Sequence, residues 1–292
     1  MDLEFLLRQI ANGLIVGSTY GLVALGLTLV FGVLGVINLA QGELFMVGAF
    51  AGLVTLNAGL PFPLALIAGP VAAALVGLAM YVFVLRRLPQ NVDPHVPMIA
   101  TMAAAVVVQQ LATRMFSARQ HPYPTPDSLA GIVHIGPIAF ETLNAFIFML
   151  ALVVVAGLYV LVLRTRLGLA IRAVAENPRM AALLGIGNDA TISAVFVISS
   201  ALAGVAGVLV GMFFNNVSPY IGVPIGMKGL AAVILGGLGS ITGALLAGLV
   251  IGVAEVVTVA YVDSSWRDAV AFVVMIVAPI MPWQIARPRP VP

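Results

Sequence analysis

The sequence contains no cysteine, one lysine and three histidines in 292 residues. The missing thiols exclude disulfides, haem thiolates and cysteine-based metal sites, and leave the compartment open. Charge is scarce as well: 8% of the residues are charged, where a soluble domain carries about 25%. A soluble globule must cover its surface with hydrated groups, and a chain that is 62% hydrophobic cannot do so. Lipid is therefore the expected solvent for much of the surface. Eleven acids and thirteen bases leave a net charge of +2 with no basic stripe, which excludes nucleic-acid binding. His95, His121 and His134 show neither metal-ligand spacing nor a nucleophile partner. There is no G-x-x-x-x-G-K-[ST] phosphate loop and no paired His, Ser or Asp constellation of an intramembrane protease. Nothing here points to an enzyme.

What is present is apolar sequence in lengths that cross a bilayer, about 20 residues each. The stretch "MDLEFLLRQI" has Asp2 and Glu4 ahead of Arg8 and no cleavage motif, so the first apolar segment is expected to be a retained span rather than a signal. Eight candidate spans cover roughly 10–35, 39–56, 62–85, 97–116, 142–163, 190–212, 242–261 and 266–282. A ninth, "GMKGLAAVILGGLG" at 226–239, is either a short span or half of a discontinuous helix. The expected fold is all-α: a polytopic transmembrane bundle of eight or nine segments with discontinuous helices, one domain over 1–292. Arg86 and Arg87 follow the third span, and Arg164, Arg166, Arg172 and Arg179 follow the fifth, which places both loops in the cytoplasm. The loop 117–141 and the N-terminus then lie outside. The basic tail, with Arg287 and Arg289, favours nine crossings over eight. Small residues at helical spacing, such as Gly13 and Gly17, fit close helix packing, although glycine is common in membrane helices generally.

Charge gathers in one long stretch, "RTRLGLAIRAVAENPRMAALLGIGND" at 164–189. Asn177 is a good N-cap, Pro178 suits the first helical position, and Gly185 can take the left-handed conformation that stops a helix. The pattern predicts a helix-break-helix unit on the cytoplasmic face, with Leu183 and Leu184 partly buried and Asp189 capping the next span. One reading is an interfacial anchor between two spans. The other is a docking surface, because a plain connector between adjacent helices commonly needs only about two to eight residues.

Polar residues also enter the apolar segments. Asn38, Gln41 and Glu43 begin the second span, with Gly42 and Gly48 among them. A carboxylate in hydrocarbon is costly, so Glu43 should face the bundle interior, an aqueous cavity or the interface. It either belongs to a pathway or forms part of a structural cluster at a helix start. Asn215 and Asn216 precede the glycine-rich ninth segment and Lys228 lies close to its start; Lys228 either snorkels to the outer interface or helps form an outer gate or attract a substrate carboxylate. Gln109 and Gln110 need buried partners, and Glu255 should point inward.

The stretches "GLIVGSTYGLVALGLTLVFGVLGVINLAQGELFMVGAF", "RTRLGLAIRAVAENPRMAALLGI" and "GMKGLAAVILGGLGSITGALLAGLVIGVAE" resemble, in order and spacing, the branched-chain amino acid ABC transporter permease family, in its shorter type. The resemblance covers nearly the whole chain. It implies a single permease domain with a cytoplasmic coupling insert at 164–189, in the bacterial inner membrane. The implied partners are a second, related but different permease chain, two cytoplasmic ATPases and an extracytoplasmic solute-binding protein. No cofactor would be bound by this chain, since ATP is hydrolysed by the partners. Arg172, Ala173, Glu176, Ala181 and Gly185 match the coupling motif, and Asn177, Arg179, Met180 and Leu184 complete the expected coupling surface. Asn38, Ala40, Gly42, Gly48 and Ala49 match the second-span motif, in which Gln41 stands where the family often has His. The ending "APIMPWQIARPRP" departs from the family's usual tail. A permease for another small solute, such as urea or an amide, and a proton-coupled transporter using Glu43 or Glu255 are the alternatives.

Overall fold

The computed structural model describes residues 3–89, 93, 95–126, 129, 131–135 and 138–279. The helices are α1 (Leu3–Leu34), α2 (Gln41–Asn57), α3 (Phe62–Phe83), α4 (His95–Phe116), α5 (Thr142–Arg164) and α6 (Arg166–Glu176), followed by α7 (Pro178–Leu183), α8 (Asn188–Phe214), α9 (Gly222–Gly236), α10 (Ile241–Tyr261) and α11 (Arg267–Val277). Four short strands accompany them among the described residues. β1 (His121–Pro122) pairs antiparallel with β4 (Asn216–Val217), and β2 (Ile132–Ile135) with β3 (Ile138–Glu141).

The all-α bundle is as expected, but the span count is not. Among the described residues, six helices are long and apolar enough to cross a membrane: Phe5–Leu34, Phe62–Arg87, His95–Phe116, Thr142–Arg164, Asn188–Phe214 and Ile241–Tyr261. This corrects the expectation of eight or nine. α2, α9 and α11 have 17, 15 and 11 residues, so at 1.5 Å per residue they reach about 25, 22 and 16 Å, short of a hydrocarbon core of about 30 Å. Hydropathy misleads here because a helix buried in protein is as apolar as one facing lipid. Most of α2 is buried in the bundle. The basic tail that favoured an odd count lies outside the described residues.

α1 ends at Leu34, Gly35 takes φ +66°, and the chain folds back before α2 begins. The link is pinned from two sides: the Leu39 amide donates to Thr101 Oγ1 on α4 (3.2 Å), and Gln41 Nε2 donates to the Ser199 carbonyl on α8 (3.0 Å). α2 thus starts beside the middle of α8, inside the bundle.

α1 and α8 are largely buried, while α4 and α5 are mostly exposed. The centre is built on close backbone contact. A Cβ on Gly17 would stand 2.7 Å from the Leu249 Cα, and one on Gly48 2.3 Å from the Gly204 Cα. The small-residue spacing read at Gly13 and Gly17 therefore marks a true crossing, with α10 on the other side. The periphery presents Ile99, Met102, Val107 and Met115 of α4 and Met149 and Val153 of α5, all exposed.

The bundle has two distinct ends. At one, the Arg86 guanidinium pairs with Asp189 (3.0 Å), which also accepts from the Tyr81 hydroxyl (2.6 Å), so the ends of α3 and α7 and the start of α8 lie together. At the other, the β1–β4 pairing joins the segment after α4 to the segment after α8.

Candidate functional site

The expected pathway residues fall in three separate places. The first is a cavity of about 190 Å³ between α2, α4 and α9, where Asn38, Gln41, Gly42, Glu43 and Gln109 meet apolar residues of all three helices. Asn38 turns inward at the break: its Oδ1 accepts from the Ala40 amide (3.1 Å) and its Nδ2 reaches Gln41 Oε1 at 3.5 Å. Gln41 is committed to the fold, with its Oε1 also 3.1 Å from Ser199 Oγ, which in turn bonds the Gly26 carbonyl (2.9 Å). Gly42 lets α9 cross: a Cβ there would lie 2.1 Å from the Gly222 carbonyl oxygen. Glu43 differs from its neighbours. It is 3% exposed, and its Oε2 is buried with no hydrogen-bond partner among the described residues.

The second place holds Lys228. It is 4% exposed and does not snorkel. Its Nζ lies 2.9 Å from Glu255 Oε2, 2.9 Å from Asp268 Oδ1 and 3.3 Å from the Tyr20 hydroxyl. Tyr20 donates to Glu255 Oε1 (3.1 Å), and Arg267 Nε stands 3.3 Å from the same oxygen. Two cations meet two carboxylates here: Lys228 and Glu255 are buried and offset one another, while Arg267 and Asp268 close the cluster from its half-exposed side. The cluster ties α1, α9, α10 and α11 together. Glu255 points inward, as its setting in the tenth helix required.

Asn215 and Asn216 occupy the third place. Asn215 ends α8 in the left-handed region (φ +53°), its carbonyl accepts from the Tyr123 amide (3.0 Å), and its Oδ1 accepts from Thr125 (3.1 Å). Asn216 pairs with Pro122 in the β ladder. Both hold down the segment after α4 rather than line the cavity beside Glu43. Tyr123 is plugged against Gly52 and Gly211, and burial pushes its phenol above the ordinary range.

The insert folds as read from its punctuation. Asn177 Oδ1 accepts from the amides of Arg179 (3.1 Å) and Met180 (3.0 Å), Pro178 opens α7, and Gly185 stops it with φ +82°. Thr165 caps α6 by accepting from the Gly168 amide (3.0 Å). Ile171, Val174 and Ala181 are the buried side, while Arg172, Glu176, Arg179, Met180, Leu184 and Gly185 are exposed and Ala173 is half-buried. Two expectations need correction. Leu183 and Leu184 are 79% and 78% exposed, not partly buried. Asp189 does not cap α8; it sits in the first turn, facing Tyr81 and Arg86, behind the N-cap Gly187.

Comparison with known proteins places these features in a lineage. The family described as branched-chain amino acid transport system / permease component matches residues 9–279. The chain belongs to this permease family. It is 33% identical to the high-affinity branched-chain amino acid transport system permease protein LivH of Salmonella typhimurium, over 93% of this chain and 92% of that protein. It is 34% identical to BraD, the corresponding permease of Pseudomonas aeruginosa, over 92% of each. A probable LivH of Methanocaldococcus jannaschii is 32% identical over 89% of this chain and 83% of that protein. The chain is thus a multi-pass inner-membrane permease component and not an enzyme. In this permease, Gln41 ties the start of α2 to α8 through Ser199, whose hydroxyl also bonds the Gly26 carbonyl of α1.

Sequence reasoning missed several partners. Ser199 and Thr101 hold the helix break, and Tyr20, Arg267 and Asp268 complete the charge cluster. The adjacent Ser199 and Ser200 within an apolar span were a usable signal. Nothing local marks Tyr20 as a partner of Glu255, 235 positions away.

Proposed function

We propose that the chain is the membrane-spanning subunit of an ATP-driven importer of branched-chain amino acids. The observation that carries this is the family match over 9–279 together with relatives named for branched-chain amino acid transport along nine-tenths of the chain. Membership implies the usual assembly: a second permease, ATPases that hydrolyse ATP, and a solute-binding protein. The second permease is a related but different chain, and two ATPases dock at the cytoplasmic end. The capped α6–α7 unit supports the docking role. It exposes Arg172, Glu176, Arg179, Met180 and Leu184 on a rigid, punctuated frame, and Asn188 Nδ2 bonds the Pro178 carbonyl (2.8 Å), so a push on α7 passes directly to α8. Asn38, Gly42 and Glu43, with Gln109 opposite, belong to the pathway. Lys228, Asn215 and Asn216 brace the outer half around it.

The test is reconstitution of the whole complex in vesicles with its binding protein, offering leucine, isoleucine, valine, other amino acids, amides and urea. Uptake of branched-chain amino acids that requires ATP supports the reading. Uptake driven by a proton gradient without ATP overturns it, and uptake of urea or amides alone reassigns the substrate.

A further inference from the structure

The buried Glu43 carboxylate lies beside the start of α9. A Cβ built on Gly222 would stand 2.9 Å from Glu43 Oε1, and Gly222 and Val223 line the same cavity as Glu43. α9 is 15 residues long, and its N-cap Ile221 offers no side-chain hydrogen bond to the first turn. The leading amides of a helix have no intrahelical acceptor and carry the positive end of the helix dipole. A negative group with an open oxygen and a positive helix end therefore meet at one corner of the cavity. Asn38, Gln41 and Gln109 are the other polar residues of the wall, and the remainder is apolar, with Leu27, Met102, Met227 and Leu230. That pairing complements a zwitterionic head with a hydrocarbon tail.

We infer that this cavity binds the amino acid during passage. The Glu43 carboxylate accepts from the α-ammonium, the leading amides of α9 donate to the α-carboxylate, and the apolar wall receives the side chain. The inference rests on the importer reading and adds to it the residue that recognises the charged head. A carboxylate kept 97% out of solvent, with Oε2 lacking a partner among the described residues, is a standing cost in a purely structural role, since a buried charge is stable only when paired or hydrogen-bonded. The arriving ammonium removes that cost. Gly42 and Gly222 are required because any side chain between α2 and α9 would push the carboxylate away from the helix end.

The absence of cysteine gives a direct test. Val106→Cys, or Ala105→Cys as a second reporter, places a thiol on the α4 wall of the cavity in the assembled complex. Labelling by a small maleimide is followed on this chain alone. Leucine is expected to slow labelling several-fold. 4-Methylpentanoate, which lacks the ammonium, and 3-methylbutylamine, which lacks the carboxylate, are expected to leave it unchanged. Adding Glu43→Gln is expected to abolish the protection and to lower leucine uptake about tenfold or more, the worth of a charge-assisted hydrogen bond, while Glu43→Asp restores part of both. Protection that survives Glu43→Gln overturns the inference. So does equal protection by the analogues, or no protection by leucine at either reporter while the parent complex transports. A thiol shielded without leucine, as by a basic side chain of the second permease, overturns it too. Failure of the parent complex to import any branched-chain amino acid instead sinks the importer reading beneath it.

Discussion

Lys228 shows how a single residue can be scarce in sequence and decisive in structure. It is the chain's one lysine, and its buried ammonium meets Glu255 and Tyr20 inside the bundle and Asp268 at the edge. Breaking a buried pair by removing one partner costs more than replacing the whole set, because the survivor stays charged and desolvated. Lys228→Met is expected to destabilise the protein by about 3–5 kcal/mol, read as a lower melting temperature of the purified complex. Combining it with Glu255→Leu and Tyr20→Phe should recover most of the loss, since Arg267 and Asp268 can then face one another. A triple variant as unstable as the single one would mean the cluster does more than neutralise charge. The sequence exposed the members of this cluster unevenly. Glu255 had to turn inward because a carboxylate cannot face lipid. Lys228 did not, because a lysine near a helix end can reach the interface on its own stem. Only the arrival of α11 beside α9 decides between the two fates.

At the scale of elements, punctuation was legible and length was not. Asn177, Pro178 and Gly185 marked α7 to the residue, because caps act through local backbone geometry. Asn177→Ala removes the acceptor of two amides and should cost the short helix about 1 kcal/mol. Gly185→Val forces a β-branched residue into φ +82°, which is costlier. Both variants should still copurify with the ATPases but show reduced ligand-stimulated ATP hydrolysis and uptake; normal coupling in both would remove α7 from the transmission path. The expectation of full crossings at α2 and α11 has a common cause: hydropathy reports the absence of water, and a glycine-lined protein interior excludes water as well as lipid does; the ninth segment, expected to be short, is the 15-residue α9. Their close seating gives another measurable consequence. Gly48→Ala places a methyl 2.3 Å from the Gly204 Cα, so α2 and α8 must separate, with an expected loss of about 1–3 kcal/mol. Gly32→Ala, in the same bundle, meets nothing within 4 Å and should be neutral or slightly stabilising. Equal melting temperatures for the two would mean the crossing is not tight.

Across the whole molecule, the charge pattern and the fold agree on sidedness even though they disagree on the count. Arg86 after α3 and the α6–α7 insert after α5 share one end, and the segments after α2, α4 and α8 share the other, as two loops read by the positive-inside rule require. The agreement survives the lower count because α2 begins within the bundle and returns the chain toward the outer end, leaving α1 and α3 parallel. Orientation depends on where each basic loop stands relative to its neighbours, and a missing full-length span does not disturb that. A cysteine-free chain makes the orientation measurable without background from the chain itself. Leu60→Cys lies between α2 and α3, Arg119→Cys between α4 and β1, and Leu183→Cys on α7, all at exposed positions. In intact cells, a membrane-impermeant maleimide should modify the thiols at 60 and 119 and spare the one at 183, which should react only after permeabilisation. The reverse pattern would invert the protein. Labelling at 119 but not at 60 would mean that α2 does not bring the chain back to the outer end.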